Sequence, residues 1–197
     1  MNYIKYVLFI ASSLFIANSF VENFEEKQKC VYVGPGGVSG FWHAIKKLKN
    51  RKDTQYYCAS SGCLAIISKD LELHNIYNLA NEAKMMYSFS NVKNSFIDSV
   101  TKNIKSVPNI TIATMDKFLR CNYHVPKNKK ELKRLLILTT DVPFLSDTNY
   151  YTFDGGLCFY FYNPCKESIK LPIKYKFIKT LLSYDLSIDE LRYFYNY

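Results

Sequence analysis

Short apolar runs separated by polar turns dominate the pattern of the first part of the chain. The runs at 31–33 and 56–57 suit short buried strands, and a polar turn at 50–53 comes between them. Apolar residues at 41, 44, 45 and 48 recur at helical spacing and predict a helix over 41–49. The chain therefore begins as strand, helix and strand.

The rest of the chain continues this alternation. Helical spacing predicts helices over 64–69, 71–89, 91–105 and 112–121. The lysines of the third of these, including Lys93, are expected on its polar side. Apolar runs predict strands at 134–140, 150–153 and 157–162, a charged turn at 127–133, a strand or helix at 174–182 and a short helix at 187–195. Alternating helices and strands predict an α/β fold.

The turn after the second strand is built from small residues and reads Cys-Ala-Ser-Ser-Gly-Cys at 58–63. A strand that turns abruptly into a helix through small residues has the form of a nucleophile elbow, Gly-x-Ser-x-Gly. Cys58 stands for the first glycine and Gly62 is the second, so the pattern centres on Ser60 rather than on Ser61. A serine there lies at the positive end of the following helix, where an anion is stabilised. A purely structural turn is the alternative.

The turn after the first strand is rich in glycine and reads Gly-Pro-Gly-Gly-Val-Ser-Gly at 34–40. Glycines allow backbone N–H groups to converge at a helix N-terminus, where an anion can bind. A Walker phosphate loop is excluded because no Gly-Lys-Ser/Thr closes the run. A dinucleotide fingerprint would need glycine in place of Ser39 and an acid after the next strand, whereas Asp53 precedes it. The third interpretation is an oxyanion loop serving Ser60.

A third motif, Asp154-Gly155-Gly156, follows a predicted strand. Two glycines after an aspartate leave its carboxylate with little steric cover, although an ordinary turn has the same composition.

The N-terminal segment predicts a targeting signal. Lys5 precedes an apolar run at 6–16, and Ala17 and Ser19 supply the small residues that a signal peptidase reads. We expect a cleaved signal peptide at 1–19. The alternative is a membrane anchor within 6–21, which is short for a bilayer span.

The six cysteines follow this segment, at positions 30, 58, 63, 121, 158 and 165. An even count in an oxidising compartment permits disulfides, but their connectivity is open. Cys58 and Cys63 are either buried small residues or partners of distant cysteines that would lock the elbow. No Cys-x-x-Cys pair occurs, so no zinc site is expected.

The formal net charge of +9 favours an anionic membrane surface as a partner, or simply confers solubility. A nucleic-acid partner is not expected, because no binding motif accompanies the charge.

The three motifs together, in this order, resemble those of the patatin-like phospholipases, whose pattern is a glycine loop, Gly-x-Ser-x-Gly and Asp-Gly-Gly. The resemblance covers 30–165 and defines one domain at 30–197. An Asp-Val-Pro segment at 141–143 also stands upstream of the aspartate motif, as in many members. Pro35, Ser39 and Cys58 depart from the pattern, replacing a glycine, a basic residue and a glycine.

This resemblance implies a three-layer α/β/α sandwich with a mainly parallel central sheet. It also implies a lipid acyl hydrolase, of phospholipase A or acylglycerol esterase type, acting at a membrane surface without metal or cofactor. Ser60 would be the nucleophile and Asp154 its base, so that no histidine is needed. The backbone N–H groups of Gly36, Gly37 and Val38 would form the oxyanion hole. The alternative is a weakly active or inactive protein of the same fold that binds lipid or a protein partner.

Overall fold

A computed structural model describes residues 28–48, 51, 53–84, 89–142 and 152–170. The predicted signal peptide, or anchor, and the elements predicted at 174–182 and 187–195 lie outside these residues. None of the helices in the described ranges has the length and hydropathy needed to cross a bilayer.

A single sheet forms the centre of the structure. Its strands are β1 (Gln28–Val33), β2 (Tyr56–Cys58), β3 (Ile110–Asp116), β4 (Cys121–His124), β5 (Thr152–Phe153) and β6 (Cys165–Ile169). The order across the sheet is β4-β3-β2-β1-β6, and β5 pairs with β3. β1, β2, β3 and β6 are parallel, whereas β4 and β5 run antiparallel to β3. The prediction of an α/β fold with a mainly parallel sheet is confirmed.

Six α-helices connect these strands within the described residues. They are α1 (Gly37–Leu48), α2 (Ser61–Ser68), α3 (Leu73–Lys84), α4 (Phe89–Asn103), α5 (Lys129–Thr139) and α6 (Cys158–Phe161), the last preceded by a 3₁₀ turn (Gly155–Leu157). The helices predicted from residues 41, 64, 71 and 91 onward are confirmed with adjusted ends.

Helices α1 to α5 all contribute to one apolar core on one face of the sheet. Connections from β1 to β2 and from β2 to β3 proceed in one direction, and right-handed crossovers therefore place their helices on the same side. β6 lies on the other side of β1, and α6 accordingly contributes to the core on the opposite face, where Phe159 packs on Tyr32. The described residues thus contain one full helical layer and the sheet.

The helix predicted over 112–121 is wrong. Residues 110–116 form the interior strand β3, in which residues 110–115 are all buried. Its apolar residues fit both periods, and burial on both faces removes the polar alternation that distinguishes a strand.

The strand predicted over 134–140 is also wrong, because the segment belongs to α5. Asn128 caps this helix by accepting from the Glu131 N–H at 2.9 Å. Leu132, Leu135, Leu136 and Thr139 are buried at helical spacing. The charged turn predicted at 127–133 is therefore the cap and first turn of a helix, and its charges concealed the apolar face.

The strand predicted over 157–162 is wrong as well, since the 3₁₀ turn and α6 occupy it. The short strand predicted over 150–153 is observed as β5, at 152–153. β6 carries three exposed residues between two buried ends, and β4 has only half-buried or exposed residues, so neither was predicted.

The three disulfides resolve the open connectivity. They join Cys30 to Cys165, Cys58 to Cys63, and Cys121 to Cys158. All six cysteines are paired, a state compatible with an extracellular or secreted protein. The elbow cysteines are buried and bonded to each other, so the alternative of a link to a distant cysteine is wrong.

Candidate functional site

Ser60 lies in a tight turn between β2 and α2. Its backbone φ is 51° and its ψ is −132°, a left-handed conformation that costs a non-glycine residue free energy. The turn is closed by hydrogen bonds from the Gly62 N–H to Ala59 O at 3.1 Å and from the Cys63 N–H to Ser60 O at 3.0 Å. This geometry presents the Ser60 side chain at the carboxyl edge of the sheet.

Gly62 is required by the packing of this turn. A methyl group on it would lie 2.5 Å from the Gly34 carbonyl oxygen and closer still to that of Val33. The first turn of α2 therefore packs directly against the backbone that leaves β1, and only glycine permits that approach.

Cys58 is fully buried at the end of β2, and its disulfide to Cys63 spans the turn that holds Ser60. Cys58 stands where the Gly-x-Ser-x-Gly pattern has its first glycine, and here this position is bonded covalently to the far side of the elbow.

Asp154 lies beside Ser60 because of how β5 pairs. Met115 of β3 pairs with Cys121 of β4 on one side and with Phe153 of β5 on the other. The second side is the one on which β2 pairs with residues 110–112 of β3. β5 thus continues the sheet beyond the end of β2, and the chain reaches Asp154 directly over the elbow. The Ser60 hydroxyl donates to Asp154 Oδ2 at 2.7 Å, and the Gly156 N–H donates to Oδ1 at 2.6 Å.

Both glycines after Asp154 are also sterically required. A methyl group on Gly155 would lie 2.5 Å from Thr139 Oγ1 and would overlap the Ala113 carbonyl oxygen. On Gly156 it would lie 2.6 Å from Asp154 Oδ1 and 2.7 Å from Pro35 Cβ. The second contact joins the glycine loop to the aspartate motif, so Pro35 forms part of the wall beside Asp154.

Desolvation raises the pKa of Asp154 from 3.8 to about 6. The hydrogen bonds from Ser60 and Gly156 lower that pKa, as does the charge of Lys93, whereas the charge of Asp141 raises it. The carboxyl group is therefore poised to accept a proton near neutral pH.

Lys93 and Asp141 form a buried ion pair with a 3.3 Å separation. The polar side predicted for Lys93 is wrong, since the residue is only 7% exposed. Helical spacing assigns a lysine to solvent by default, and nothing local signals that a carboxylate 48 residues away receives it.

Thr139, the last residue of α5, holds the elbow from behind and was not predicted. Its Oγ1 accepts from the Ser60 N–H at 2.9 Å and donates to the Ala113 carbonyl at 2.6 Å. The threonine thus fixes the backbone of Ser60 to β3. The wrong strand prediction hid this role, because it placed no helix end near the elbow.

The glycine loop leads from β1 into α1. Gly37 has a φ of 57°, and the Gly40 N–H donates to Gly36 O at 2.8 Å. Since α1 begins at Gly37, the N–H groups of Gly37 and Val38 belong to a first turn, which has no intrahelical acceptors. These groups can therefore serve an anion bound between the loop and Ser60.

Ser61 and the three histidines of the chain are the other side chains that could act in acyl transfer. Ser61 Oγ is buried and has no hydrogen-bond partner among the residues that the structure describes. His124 contacts Thr114 and His74 contacts Asn78, while burial and two nearby lysines lower the pKa of His43. Within the part of the chain that the structure describes, no three His, Cys, Asp or Glu residues are grouped to hold a metal ion.

Compared with known protein families and with curated proteins, the sequence matches no family model and no curated protein. A functional inference for this chain therefore depends on its own residues and their geometry.

Proposed function

We propose that the chain is a secreted lipid acyl hydrolase that uses Ser60 as nucleophile and Asp154 as base, in a three-layer fold resembling that of the patatin-like phospholipases. The observation that carries the proposal is the 2.7 Å hydrogen bond between Ser60 Oγ and Asp154 Oδ2, made by a serine held at positive φ between a strand and a helix. A strained serine hydrogen-bonded to a carboxylate of raised pKa is the arrangement that an activated nucleophile needs.

In the proposed reaction Asp154 accepts the Ser60 proton as the oxygen attacks the ester carbonyl. The N–H groups of Gly36, Gly37 and Val38 stabilise the oxyanion. One such donor is commonly worth roughly 3 kcal/mol. The alcohol leaves with the proton held by Asp154, and an acyl-serine remains. Water then attacks the acyl carbonyl while Asp154 takes its proton, the bond to Ser60 Oγ breaks to release the fatty acid, and Asp154 returns the proton to Ser60 Oγ.

Two of the three departures from the family pattern, Pro35 and Cys58, have surroundings that are compatible with this proposal. Pro35 lies close to Gly156, since a methyl group on that glycine would be 2.7 Å from Pro35 Cβ, and Cys58 is bonded to Cys63 across the elbow. The carboxylate thus keeps its hydrogen bond to the serine despite both replacements.

The first test is labelling of the purified, oxidised protein by a fluorophosphonate probe, followed by peptide mapping. We expect modification at Ser60, and its loss in Ser60→Ala. Ser61→Ala is the matched control, because it removes the adjacent hydroxyl but leaves the hydrogen bond to Asp154. Unlabelled protein with the folded circular dichroism spectrum would overturn the proposal in favour of a binding-only protein.

The second test concerns the substrate. We expect release of fatty acid from phosphatidylcholine or an acylglycerol, and a loss on the order of 1,000-fold in Asp154→Asn, because the amide cannot accept the serine proton. Hydrolysis by this variant at the parental rate would exclude Asp154 as the base.

A further inference from the structure

The loop between β3 and β4, residues 117–120, displays two large apolar side chains in water. Phe118 is 66% exposed and Leu119 is 47% exposed. Lys117 and Arg120 flank them, and all four residues are exposed. We call residues 117–120 the hairpin tip.

Hydrogen bonds hold the hairpin tip in a defined conformation. Asp116 Oδ1 accepts from the backbone N–H groups of Phe118 at 2.9 Å and Arg120 at 3.0 Å, and its Oδ2 accepts from Arg120 Nε at 3.0 Å. Leu119 is held at a φ of 60°, and its N–H donates to the Asp116 carbonyl at 3.0 Å. The fold therefore maintains a strained conformation that keeps both apolar side chains in solvent.

Two cations contact the Phe118 ring. Lys117 Nζ lies 5.0 Å and Arg120 Cζ 5.1 Å from its centroid. An aromatic ring flanked by cations matches the boundary of an anionic bilayer, where the ring enters the apolar layer and the cations meet the head groups. The net charge of +9 strengthens the same attraction.

The tip also lies at the edge of the sheet that carries the candidate site. β3 is parallel to β2, so the residues after Asp116 leave the same edge as those after Cys58. β5 pairs with Met115 and Asp116, and Asp154 follows it directly. Phe118 therefore comes three residues after Met115, the partner of Phe153, and at most about 11 Å from it along the chain.

A second exposed apolar group is attached to the same hairpin. Tyr160, Phe161 and Tyr162 are exposed at the end of α6. The disulfide from Cys121 to Cys158 joins α6 to β4 next to the tip, and the Tyr162 ring packs on Tyr123 at 5.4 Å. Tyrosines next to an apolar anchor are suited to the head-group level of a membrane.

We propose that the hairpin tip inserts Phe118 and Leu119 into an anionic phospholipid surface, with Lys117 and Arg120 on the head groups, and so brings the candidate site to its substrate. As a mode of substrate access this rests on the proposed function, but the insertion itself is independent of catalysis.

The test measures partition of the oxidised protein into vesicles of phosphatidylcholine with roughly 30% phosphatidylglycerol, by co-sedimentation at low salt. We expect a decrease of roughly tenfold or more in Phe118→Ala/Leu119→Ser. Lys117→Gln should weaken binding by several-fold and reduce its dependence on salt. Vesicles of phosphatidylcholine alone should bind the parent more weakly than the anionic ones.

Val125→Ala is the matched control, since Val125 is 63% exposed but follows β4, at the far end of the hairpin. It should bind like the parent. Binding of the tip variant equal to that of the parent, or an equal loss in Val125→Ala, would overturn the proposal.

Two readouts separate this proposal from the proposed function. The tip variant should keep parental labelling by the fluorophosphonate probe, which also shows that it is folded. Ser60→Ala should lose labelling and keep vesicle binding. A parent that binds vesicles through the tip but is never labelled would refute the catalytic proposal alone.

Discussion

At the scale of single residues, Asp154 combines two opposing influences. Desolvation raises the pKa of its carboxyl group, while the Ser60 hydroxyl and the Gly156 N–H stabilise its charged form. Desolvation dominates, so the carboxylate is a stronger base than a surface aspartate and yet stays ionised at neutral pH.

This balance predicts the pH dependence of labelling. Only the ionised form of Asp154 can accept the Ser60 proton, so the labelling rate should rise with pH and reach half its maximum at about 6. The measurement is the rate of fluorophosphonate modification between about pH 4.5 and about pH 8. A rate that is already maximal at the lowest pH would contradict the assignment of Asp154 as base.

The same group predicts a pH-dependent stability. The folded protein binds the Asp154 proton more tightly than the unfolded chain, so stability from this group is present below the unfolded pKa of 3.8 and is lost as pH rises through about 6. The loss amounts to roughly 3 kcal/mol. Relative to Asp154→Asn, the parent's free energy of unfolding should fall by about that amount from about pH 4 to about pH 7 in urea titrations. A constant difference between the two proteins would show that the pKa is not raised.

Thr139 gives a prediction about both the stability of the fold and the reactivity of Ser60. Thr139→Val removes the acceptor of the buried Ser60 N–H and should cost about 1–3 kcal/mol of stability. It should also slow labelling of Ser60. Thr139→Ser keeps the hydroxyl and should retain most of both, as measured by urea unfolding and probe kinetics. Equal labelling rates in the two variants would limit Thr139 to a general packing role.

At the scale of elements, the turn between β2 and α2 is covalently closed. The Cys58–Cys63 disulfide spans five residues, so the chain-entropy estimate of its contribution to stability is only about 2 kcal/mol. Its greater effect should be on the position of Ser60, which lies inside the closed loop.

We therefore expect Cys58→Ala/Cys63→Ala to remain folded but to be labelled several-fold more slowly than the parent. The comparison is Cys121→Ala/Cys158→Ala, which opens a disulfide outside the elbow and should leave the labelling rate closer to the parental one. The reverse order of the two rates would show that the elbow is held by packing alone.

The elements also show what the sequence allows to be predicted. β1, β2 and the helices that follow them were predictable because small-residue turns separate them clearly. β3 was predicted as a helix and α5 as a strand. A strand buried on both faces loses its alternation of polar and apolar residues, and a helix whose charges are concentrated in its first turn loses its helical pattern. Ser60, Asp154 and the glycines are found together because the motifs are local, whereas the contacts of Thr139 and Lys93 span 79 and 48 residues.

At the scale of the whole molecule, the disulfide between Cys30 and Cys165 joins β1 to β6 over a separation of 135 residues. The ion pair of Arg51 with Glu167 adds a contact beside the same strands, but both side chains are partly exposed and such pairs contribute little. The disulfide therefore adds a covalent link to the ladder that already pairs β1 with β6.

The chain-entropy estimate for a loop of this length is about 5 kcal/mol. Cys30→Ala/Cys165→Ala should thus lower the free energy of unfolding more than Cys58→Ala/Cys63→Ala does, in urea titrations under oxidising conditions. A smaller loss than that of the elbow variant would contradict the entropic account.

The place of β1 in the sheet has a consequence for how the protein is made. Among the strands that the structure describes, β1 is synthesised first, and it pairs with β2 on one side and with β6 on the other. While the ribosome is still adding residues up to 169, one edge of this apolar strand has no partner, and open strand edges promote aggregation. Productive synthesis is therefore favoured when the β6 edge of β1 stays unpaired, and Cys30 stays unoxidised, until β6 has emerged.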